Sequence, residues 1–388
     1  MSWERMVSKR FYKSTLIQGK HTSLFSMIGM GVGCFALILS LSVMNGFENI
    51  VHGKLKGFEG DIRIIAKFAH LPDLDIDGID ILMPFLERRG VVEAGQNKRV
   101  VTIKAIDEDK MTDFYKFPLR GAVPESGQIV IGQDLANRLG KEIGDLIILS
   151  SPIDQAIGFS LPDRKKLLIS GIFSTKVLDY DDRFTFITLD EGFKLFKRKI
   201  EYDGIDIRAL DEHDLKKIKS NLKNEFHDKI KIQSWDEQNI SLVNAMKMER
   251  LATIVILSLI FLVAAFNLAS SLTLISIQKM KEVGILKAMG ASSFSILKIM
   301  VNLGLSKAGK GALFGYIGGI LVVLIQKQYA LIPIPSEIYF IDALPMELYL
   351  SDFFLIGFLS IIFICGSSLI SGRKIANSNL QEGLRWVK

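Results

Sequence analysis

The sequence predicts a membrane α-helical protein with four transmembrane helices and a large α+β domain inserted between the first and second of them. Mean hydropathy is positive (+0.29) although 23% of the 388 residues are charged, so charged and apolar residues must be segregated along the chain. Three stretches carry no charged residue, namely 23–44, 251–277 and 353–371. Each is long enough to cross the roughly 30 Å hydrocarbon core of a bilayer. Residues 45–250 have ordinary mixed composition and form the insertion.

A fourth apolar run is centred on residues 311–326 and is short unless its helix begins further back. The residues before it match part of a phosphate-binding loop, G-x-x-x-x-G-K, at Gly304, Gly309 and Lys310. The Ser or Thr that would ligate Mg²⁺ is replaced by Gly311, and an apolar run follows. We therefore expect a glycine-rich membrane helix here, and ATP bound on another protein.

Lysine and arginine placement predicts the orientation. Positive residues precede the first span, fill the loop after the second and follow the fourth: Arg5, Lys9, Arg10, Lys13, Lys20, Lys279, Lys281, Lys287, Lys298, Arg373, Lys374, Arg385 and Lys388. Residues 328–351 contain no Lys or Arg. The positive-inside rule thus places both termini and the loop after the second span in the cytoplasm, and the inserted domain on the outer side of the membrane. The net charge of +6 reflects this topology, so we infer no nucleic-acid partner.

These observations divide the chain into nine segments. They are a cytoplasmic amphipathic segment 1–22, the first span 23–46, the outer α+β domain 47–249, the second span 250–277, a cytoplasmic loop 278–297, the third span 298–327, a short outer loop 328–350, the fourth span 351–371 and a cytoplasmic tail 372–388.

Within the insertion, 127–150 reads as strand, short helix, Gly-Asp turn and strand, while 166–173 and 184–189 alternate as strands. Residues 211–226 read as an amphipathic helix with Leu215, Ile218, Leu222 and Phe226 at helical spacing. We interpret 81–90 as a further helix.

No catalytic, metal or cofactor site is predicted. Asp73, Asp75, Asp77 and Gly78 begin like a calcium loop, but Pro84 stands where the bidentate Glu should be, so we expect a solvated turn. The five histidines show no ligand spacing, and no Ser/His/Asp or Cys/His set can be assembled: His21, His52, His70, His213 and His227.

The loop 278–297 predicts a short amphipathic helix that ends at Gly290. Met280, Val283, Leu286 and Met289 recur every three residues and form an apolar stripe. Such a helix binds lipid headgroups or a groove on a partner protein. Small residues and an acidic one favour the protein partner. The candidate contact set is Met280, Lys281, Glu282, Val283, Gly284, Ile285, Leu286, Lys287, Ala288, Met289 and Gly290.

The stretch KEVGILKAMGAS resembles the coupling segment of the permease superfamily that includes macrolide exporters, cell-division permeases and lipoprotein-releasing permeases. Other stretches resemble the transmembrane subunits of lipoprotein-releasing (Lol) transporters of LolC/LolE type. They are LSLSVMNGFENIVHGKLKG, GQIVIGQDLANRLG, GIFSTKVLDYDDRFTFITL and SWDEQNISLVNAMKMER. The more specific signature combines Val43–Phe47 with Trp235, Asn239, Ala245 and Glu249.

The resemblance implies a permease that extracts acylated lipoproteins from the outer leaflet of the inner membrane. It implies a separate LolD-like ATPase docked on the coupling segment, a second permease subunit in a homodimer or a LolC/LolE-type heterodimer, and a periplasmic LolA-like carrier. Membrane lipid surrounds the spans. In a bacterial inner membrane, which the resemblance implies, the outer segments are periplasmic. Loop 151–166 corresponds to the place where one subunit type presents a hook to the carrier, and no subunit type is assigned. The resemblance places four residues near the mouth of a lipoprotein cavity: Val43, Met44, Asn45 and Phe47.

Glycines at G-x-x-x-G spacing predict close packing of the first and third spans. They are Gly29, Gly33, Gly311, Gly315 and Gly319. Lys307 and Lys310 depart from the apolar third span of Lol-like permeases, and we interpret them as reaching the cytoplasmic headgroups.

Two other functions are open. One is a macrolide-exporter-like efflux permease. The other is a non-transporting signal transmitter of the cell-division permease type, although such proteins have smaller outer domains and lack the 43–47 signature.

Overall fold

A computed structural model describes residues 3–376 apart from 19, 73, 75, 151–163, 197–200, 212–213, 227–229 and 335–342. The chain divides into two compact units. We call Met1–Asn49 with Asn244–Lys388 the helical unit, and Ile50–Val243 the inserted unit.

The elements in chain order are α1 (Trp3–Gln18), α2 (Lys20–Glu59), β1 (Ile62–Phe68), β2 (Ile79–Ala94), β3 (Asn97–Ile106), a 3-10 turn (Glu108–Lys110), α3 (Met111–Phe114), β4 (Leu119–Gly121), β5 (Gln128–Gly132), α4 (Gln133–Leu139), β6 (Leu146–Ser150), β7 (Arg164–Phe173), α5 (Leu178–Arg183), β8 (Phe184–Thr188), α6 (Leu189–Leu195), β9 (Tyr202–Ala209), α7 (Leu215–Phe226), β10 (Lys231–Ser234), α8 (Trp235–Gln238), α9 (Ile240–Gln278), α10 (Met280–Ala288), α11 (Ser293–Tyr329) and α12 (Leu350–Ala376).

Among the described residues, the helices α2, α9, α11 and α12 are long and apolar enough to cross a membrane. Each extends beyond the uncharged stretch that predicted it, because charged and polar residues at a helix end still complete backbone hydrogen bonds. The helices pack around one buried cluster that includes Met30, Leu37, Leu268 and Leu303. Four such helices and an inserted α+β unit confirm the predicted fold class.

The two glycines Gly311 and Gly315 mark the closest approach of α11 to α2. A Cβ atom added at either position would overlap a backbone carbonyl oxygen of α2, that of Met27 or that of Gly31. Gly29 and Gly33 lie differently, because their added Cβ atoms would meet α9 side chains at ordinary van der Waals distance. Gly319 falls between these cases, since an added Cβ would lie 3.0 Å from the Ile38 side chain.

The inserted unit is built on a ten-stranded sheet in the order β10-β1-β9-β2-β3-β8-β5-β7-β4. Strand β6 pairs with both β2 and β7, so six strands close into a ring. The ring encloses a cluster of branched apolar side chains such as Val101, Ile131 and Leu149. A separate cluster on the other sheet face is mostly aromatic and includes Phe58, Phe114 and Phe186.

Most local predictions for the insertion are confirmed. The run 127–150 forms β5, α4 and β6, and α4 ends at Gly140 with a φ of 62° in the left-handed region. Helix α7 buries Ile218 and Leu222 as its periodicity predicts. The expected helix at 81–90 is wrong, because these residues lie in strand β2. Pro84 fits there since β2 pairs at that residue with β9 alone, and the pairing with β3 begins at Phe85.

Some sequence features lie outside the described residues. Two aspartates of the loop that resembles a calcium site, Asp73 and Asp75, are among them. So are residues 151–163, most of the loop compared with a carrier-binding hook, whereas residues 164–166 begin β7.

Candidate functional site

The loop between α9 and α11 contains the short helix α10, with only Lys279 separating it from α9. The backbone stays hydrogen-bonded across this junction, since Lys279 N donates to Ile275 O at 2.9 Å and Val283 N donates to Lys279 O at 3.0 Å. After α10 the chain turns at Gly290, whose φ of 94° favours glycine, and Ser292 caps α11 by accepting from Ser295 N at 3.2 Å. The loop is therefore an ordered structure, and backbone hydrogen bonds join it rigidly to the helix before it.

The predicted apolar stripe does not form a single surface. Val283 is 2% exposed, and both it and Leu286 pack against the core of the helical unit. Met289 is 80% exposed. The stripe assumed a period of three, whereas an α-helix has 3.6 residues per turn, so residues three apart drift around the axis.

The exposed apolar side chains of the loop and of the first turn of α11 are Ile285, Met289 and Phe294, at 48%, 80% and 74% exposure. We call these three residues the exposed patch. Ile285 and Met289 are four apart and so share a face, together with the exposed Lys281. A Cβ added at Gly284 would meet open space, which leaves room for a partner to approach the α10 backbone. This surface suits an apolar groove on another protein.

Three charged side chains of the loop are bonded within the chain: Lys279, Glu282 and Lys287. Lys279 Nζ donates to Glu282 Oε1 at 2.8 Å, and Lys287 Nζ donates to the Ala376 carbonyl oxygen at 2.7 Å. Partial burial raises the pKa of Glu282, but the hydrogen bond from Lys279, a backbone hydrogen bond and the charges of Lys279 and Lys281 together outweigh it and hold that pKa below its ordinary value. Glu282 is therefore ionised at neutral pH, and its charge stabilises the first turn of α10.

Among the four residues expected at a cavity mouth, Asn45 is completely buried. Its Nδ2 donates to Asp352 Oδ2 at 2.6 Å and to the Glu347 carbonyl oxygen at 3.2 Å. The other carboxylate oxygen of Asp352 accepts from Arg250. Asn45 thus links α2 to α12, and through Asp352 to α9.

The other three cavity candidates are half-buried: Val43, Met44 and Phe47. Val43 packs against the core of the helical unit. Gly46, which was not singled out as a site residue, is required by sterics. A Cβ there would lie 2.5 Å from the backbone of Pro345, so only glycine lets the chain at Pro345 and Met346 pass this close to α2.

In the inserted unit, the end of α2 is joined to the chain that leads into α9. Glu59 accepts from Tyr180 OH and from Asn239 Nδ2, both at 2.7 Å. The neighbouring Phe58 is 1% exposed and stacks on Tyr180 with ring centroids 4.3 Å apart. The start of α9 is thereby held to the last turn of α2. Asn239 was part of the resemblance signature, whereas no sequence periodicity indicated Glu59.

The residues that resembled a phosphate loop lie inside the continuous helix α11, so their backbone N–H groups are committed to helical hydrogen bonds. Lys307 is 3% exposed, so the interpretation that it reaches the headgroups is wrong. It lies on the helix face that turns toward the core, next to buried Ala308. Lys310 is exposed and its Nζ lies 5.0 Å from the centre of the Tyr12 ring on α1.

Residues 23–225 match the family described as the MacB-like periplasmic core domain, over more than half of the chain, and residues 254–380 match the FtsX-like permease C-terminal family. The chain belongs to the MacB permease superfamily as a LolC/LolE-type permease. Permeases of this kind are subunits of ABC transporters and work with partners such as an ATPase.

Two relatives illustrate the match. The lipoprotein-releasing system transmembrane protein LolC of Neisseria meningitidis serogroup B is 25% identical over 416 residues, which covers 99% of both chains. LolE of Haemophilus influenzae is 25% identical over 361 residues, which covers 84% of this chain and 85% of that one. Among solved structures, the periplasmic region of MacB from Actinobacillus actinomycetemcomitans aligns at 12% identity with a TM-score of 0.34, over 49% of this chain and 96% of that one.

Proposed function

We propose that this permease extracts acylated lipoproteins from the outer leaflet of the inner membrane and passes them to a periplasmic carrier, driven by ATP hydrolysis on a separate ATPase subunit. The observation that supports it most directly is the exposed patch of Ile285, Met289 and Phe294, on a loop rigidly joined to a membrane-spanning helix. The substrate class comes from the relatives, whose names describe a lipoprotein-releasing system.

The task needs an external energy source. Each acyl CH₂ buried in the bilayer contributes about 0.8 kcal/mol, so two or three chains hold a lipoprotein in place on any useful timescale. A membrane subunit that releases them must transmit work done elsewhere. The orientation predicted from Lys and Arg places α10 in the cytoplasm, where the ATPase binds its nucleotide.

Helix α9 is the proposed lever. It runs unbroken from Ile240 to Gln278 and continues into α10 across hydrogen-bonded backbone. In the inserted unit, the bond between Asn239 and Glu59 ties its start to the end of α2. A displacement of α10 therefore moves α9 as a body, and α2 with it.

A second permease subunit completes the proposed transporter. One face of α9 exposes large apolar side chains that the described part of this chain leaves uncovered: Leu251, Val255, Ile256, Leu259, Val263 and Phe266. We propose that this face, with Met44 and Phe47 on α2, borders a cavity closed by the second subunit. Asn45 is assigned to holding α2 in place.

The docking claim is tested by charge substitution in the exposed patch. Ile285→Asp and Met289→Asp place a carboxylate at an apolar contact, so we expect both to abolish co-purification with the ATPase subunit. The matched control is Leu210→Asp. Leu210 is also a large apolar side chain with a high exposed fraction (71%), but it lies in the inserted unit. Leu286→Asp is a poor test, since Leu286 packs against the helical core and its loss would disturb folding. Retention of the ATPase by both patch variants would contradict the assignment.

The substrate claim is tested on the same preparation. Mass spectrometry of the complex purified in mild detergent is expected to find triacylated or diacylated lipoproteins. A bound wall hydrolase would instead indicate signal transmission, and a tunnel-forming outer-membrane partner would indicate efflux.

A further inference from the structure

Strand β3 has one fully paired edge and one partly open edge. Its pairing with β2 runs its whole length, from Asn97 opposite Ala94 to Ile106 opposite Phe85. Its pairing with β8 begins only at Thr102. In the part of the chain that the structure describes, the edge of residues 97–101 on that side has no strand partner. Strand β6 and the hairpin it forms with β7 lie across β2, on the opposite side.

A groove of about 450 Å³ runs between this edge and helix α5. Its lining includes Val100 and Thr102 of β3, Asp179, Tyr180 and Arg183 of α5, and Arg89 of β2, so it contains two guanidinium groups and one carboxylate. Arg89 lies opposite Thr102 and Val91 lies opposite Val100, so these side chains share one face of the sheet. The groove thus offers unpaired backbone, an apolar contact and two guanidinium groups in one place.

The groove has a surplus of positive charge. Arg89 is exposed and forms no ion pair with any residue that the structure describes. Arg183 pairs with Asp179 at 3.2 Å, but both side chains remain mostly exposed, at 65% and 74%. At the nearby hairpin tip, Glu93 is already paired with Lys98 at 3.3 Å and with Arg164 at 3.2 Å. Carboxylates are the side chains that this surface attracts.

We infer that the groove binds an extended acidic segment of a separate polypeptide, which adds as a strand to the open edge of β3. Backbone hydrogen bonds to an exposed sheet edge provide affinity, and alternate side chains of the added strand provide specificity. An apolar side chain of the added strand contacts Val100, which is 59% exposed, and carboxylates two positions away in that strand lie on the same face and pair with Arg89 and Arg183.

Occupancy has a direct route to the end of α2. Tyr180 lines the groove, and its hydroxyl donates to Glu59 in the last turn of α2. A peptide in the groove therefore touches a residue that holds the proposed lever. Binding itself is independent of the proposed lipoprotein release, because it needs neither nucleotide nor lipid.

The test uses the full-length chain in detergent micelles and a fluorescein-labelled heptapeptide in which threonine alternates with glutamate, valine and glutamate, so that the two glutamates and the valine share one face of the added strand. We expect saturable binding measured by fluorescence anisotropy, and at least about tenfold weaker binding when lysine replaces glutamate. The same peptide with alternate backbone amides N-methylated loses strand hydrogen bonds, and we also expect it to bind about tenfold more weakly. Equal binding of the acidic and N-methylated peptides would overturn strand addition.

Protein variants locate the site. Arg89→Glu and Val100→Asp change exposed side chains, so folding is preserved, and each is expected to weaken binding about tenfold. Lys217→Glu on α7 makes the same charge reversal on an exposed lysine elsewhere in the inserted unit and is expected to have no effect. In hydrogen exchange, the amides of residues 97–101 gain protection when the acidic peptide binds. Wild-type affinity in both groove variants, or unchanged exchange at 97–101, would overturn the proposal.

Discussion

Replacing Gly311 with alanine is expected to force α2 and α11 apart. The added Cβ overlaps the Met27 carbonyl oxygen, which is backbone and cannot rotate away. Overpacking of this kind costs about 1–3 kcal/mol. Alanine also improves helix propensity over glycine by about 1 kcal/mol, which partly masks the clash.

Gly309 separates these two effects. It lies two residues earlier on the same helix, and a Cβ added there would meet nothing within 4 Å. Gly309→Ala therefore gains propensity without a clash, and the difference between the two variants isolates the overpacking, about 1–3 kcal/mol. The assay is SDS titration of the full chain in mixed micelles, followed by far-ultraviolet circular dichroism. Equal unfolding free energies for Gly309→Ala and Gly311→Ala would refute the close packing of α2 and α11.

Three further predictions concern buried charges. Asp206→Asn leaves Arg63 and Lys104 without the carboxylate that they share, which lies 2.6 Å and 2.7 Å from them. Hydrogen exchange should therefore show the sheet destabilised by about 3–5 kcal/mol. Wild-type exchange rates of the β9 amides in this variant would contradict the prediction. Burial raises the pKa of Asp206, but the two cations outweigh it and hold the pKa below its ordinary value. The stabilisation that the ionised Asp206 gives to the fold is therefore complete above about pH 4, and it is lost as the pH falls through the lower pKa of the folded state. The protection of the β9 amides from exchange should be equal at pH 7 and pH 5 and should fall near pH 3. A loss of protection between pH 7 and pH 5 would count against this assignment. Arg250→Met leaves Asp352 buried without its cation and should destabilise the start of α12 by about 1–3 kcal/mol. Arg250→Lys keeps the positive charge and is the milder control. Equal hydrogen exchange at the start of α12 in the two variants would show that the ion pair is dispensable.

Segregation of charge made the helical architecture predictable from sequence. A span without charged residues has few alternatives in a chain of this composition, and three of the four helices follow from it, whereas α11 was indicated only by the short apolar run 311–326. Local turn chemistry was equally informative where glycine has a positive φ, as at Gly140 and Gly144. These signals depend only on neighbours in sequence.

The errors arose where distant residues decide. Residues 81–90 of β2 were interpreted as a helix. They form a strand because they pair with β9 and β3, and the local sequence does not show this pairing. Lys307 was expected at the headgroups, yet helix packing buries it. The split of the α10 stripe into buried Val283 and exposed Met289 likewise depends on what the helix packs against.

The site residues divide in the same way. The coupling role of the α10 loop was indicated by its own residues. The partners of Asn45, in contrast, lie about 300 positions away: Asp352 in the first turn of α12, and Glu347 just before that helix. The buried Asn45–Asp352 bond shows that a residue in a family signature can serve packing. The cavity role proposed for Met44 and Phe47 therefore needs its own test, by measuring lipoprotein release after bulky substitution at each.

The most direct test of the central claim is release of an acylated lipoprotein from proteoliposomes that contain this chain, with a soluble carrier outside. The account predicts release only when the ATPase subunit and hydrolysable ATP are both present, and none from the isolated chain with ATP. Release by the isolated chain, or ATP hydrolysis in the absence of the ATPase subunit, would contradict it.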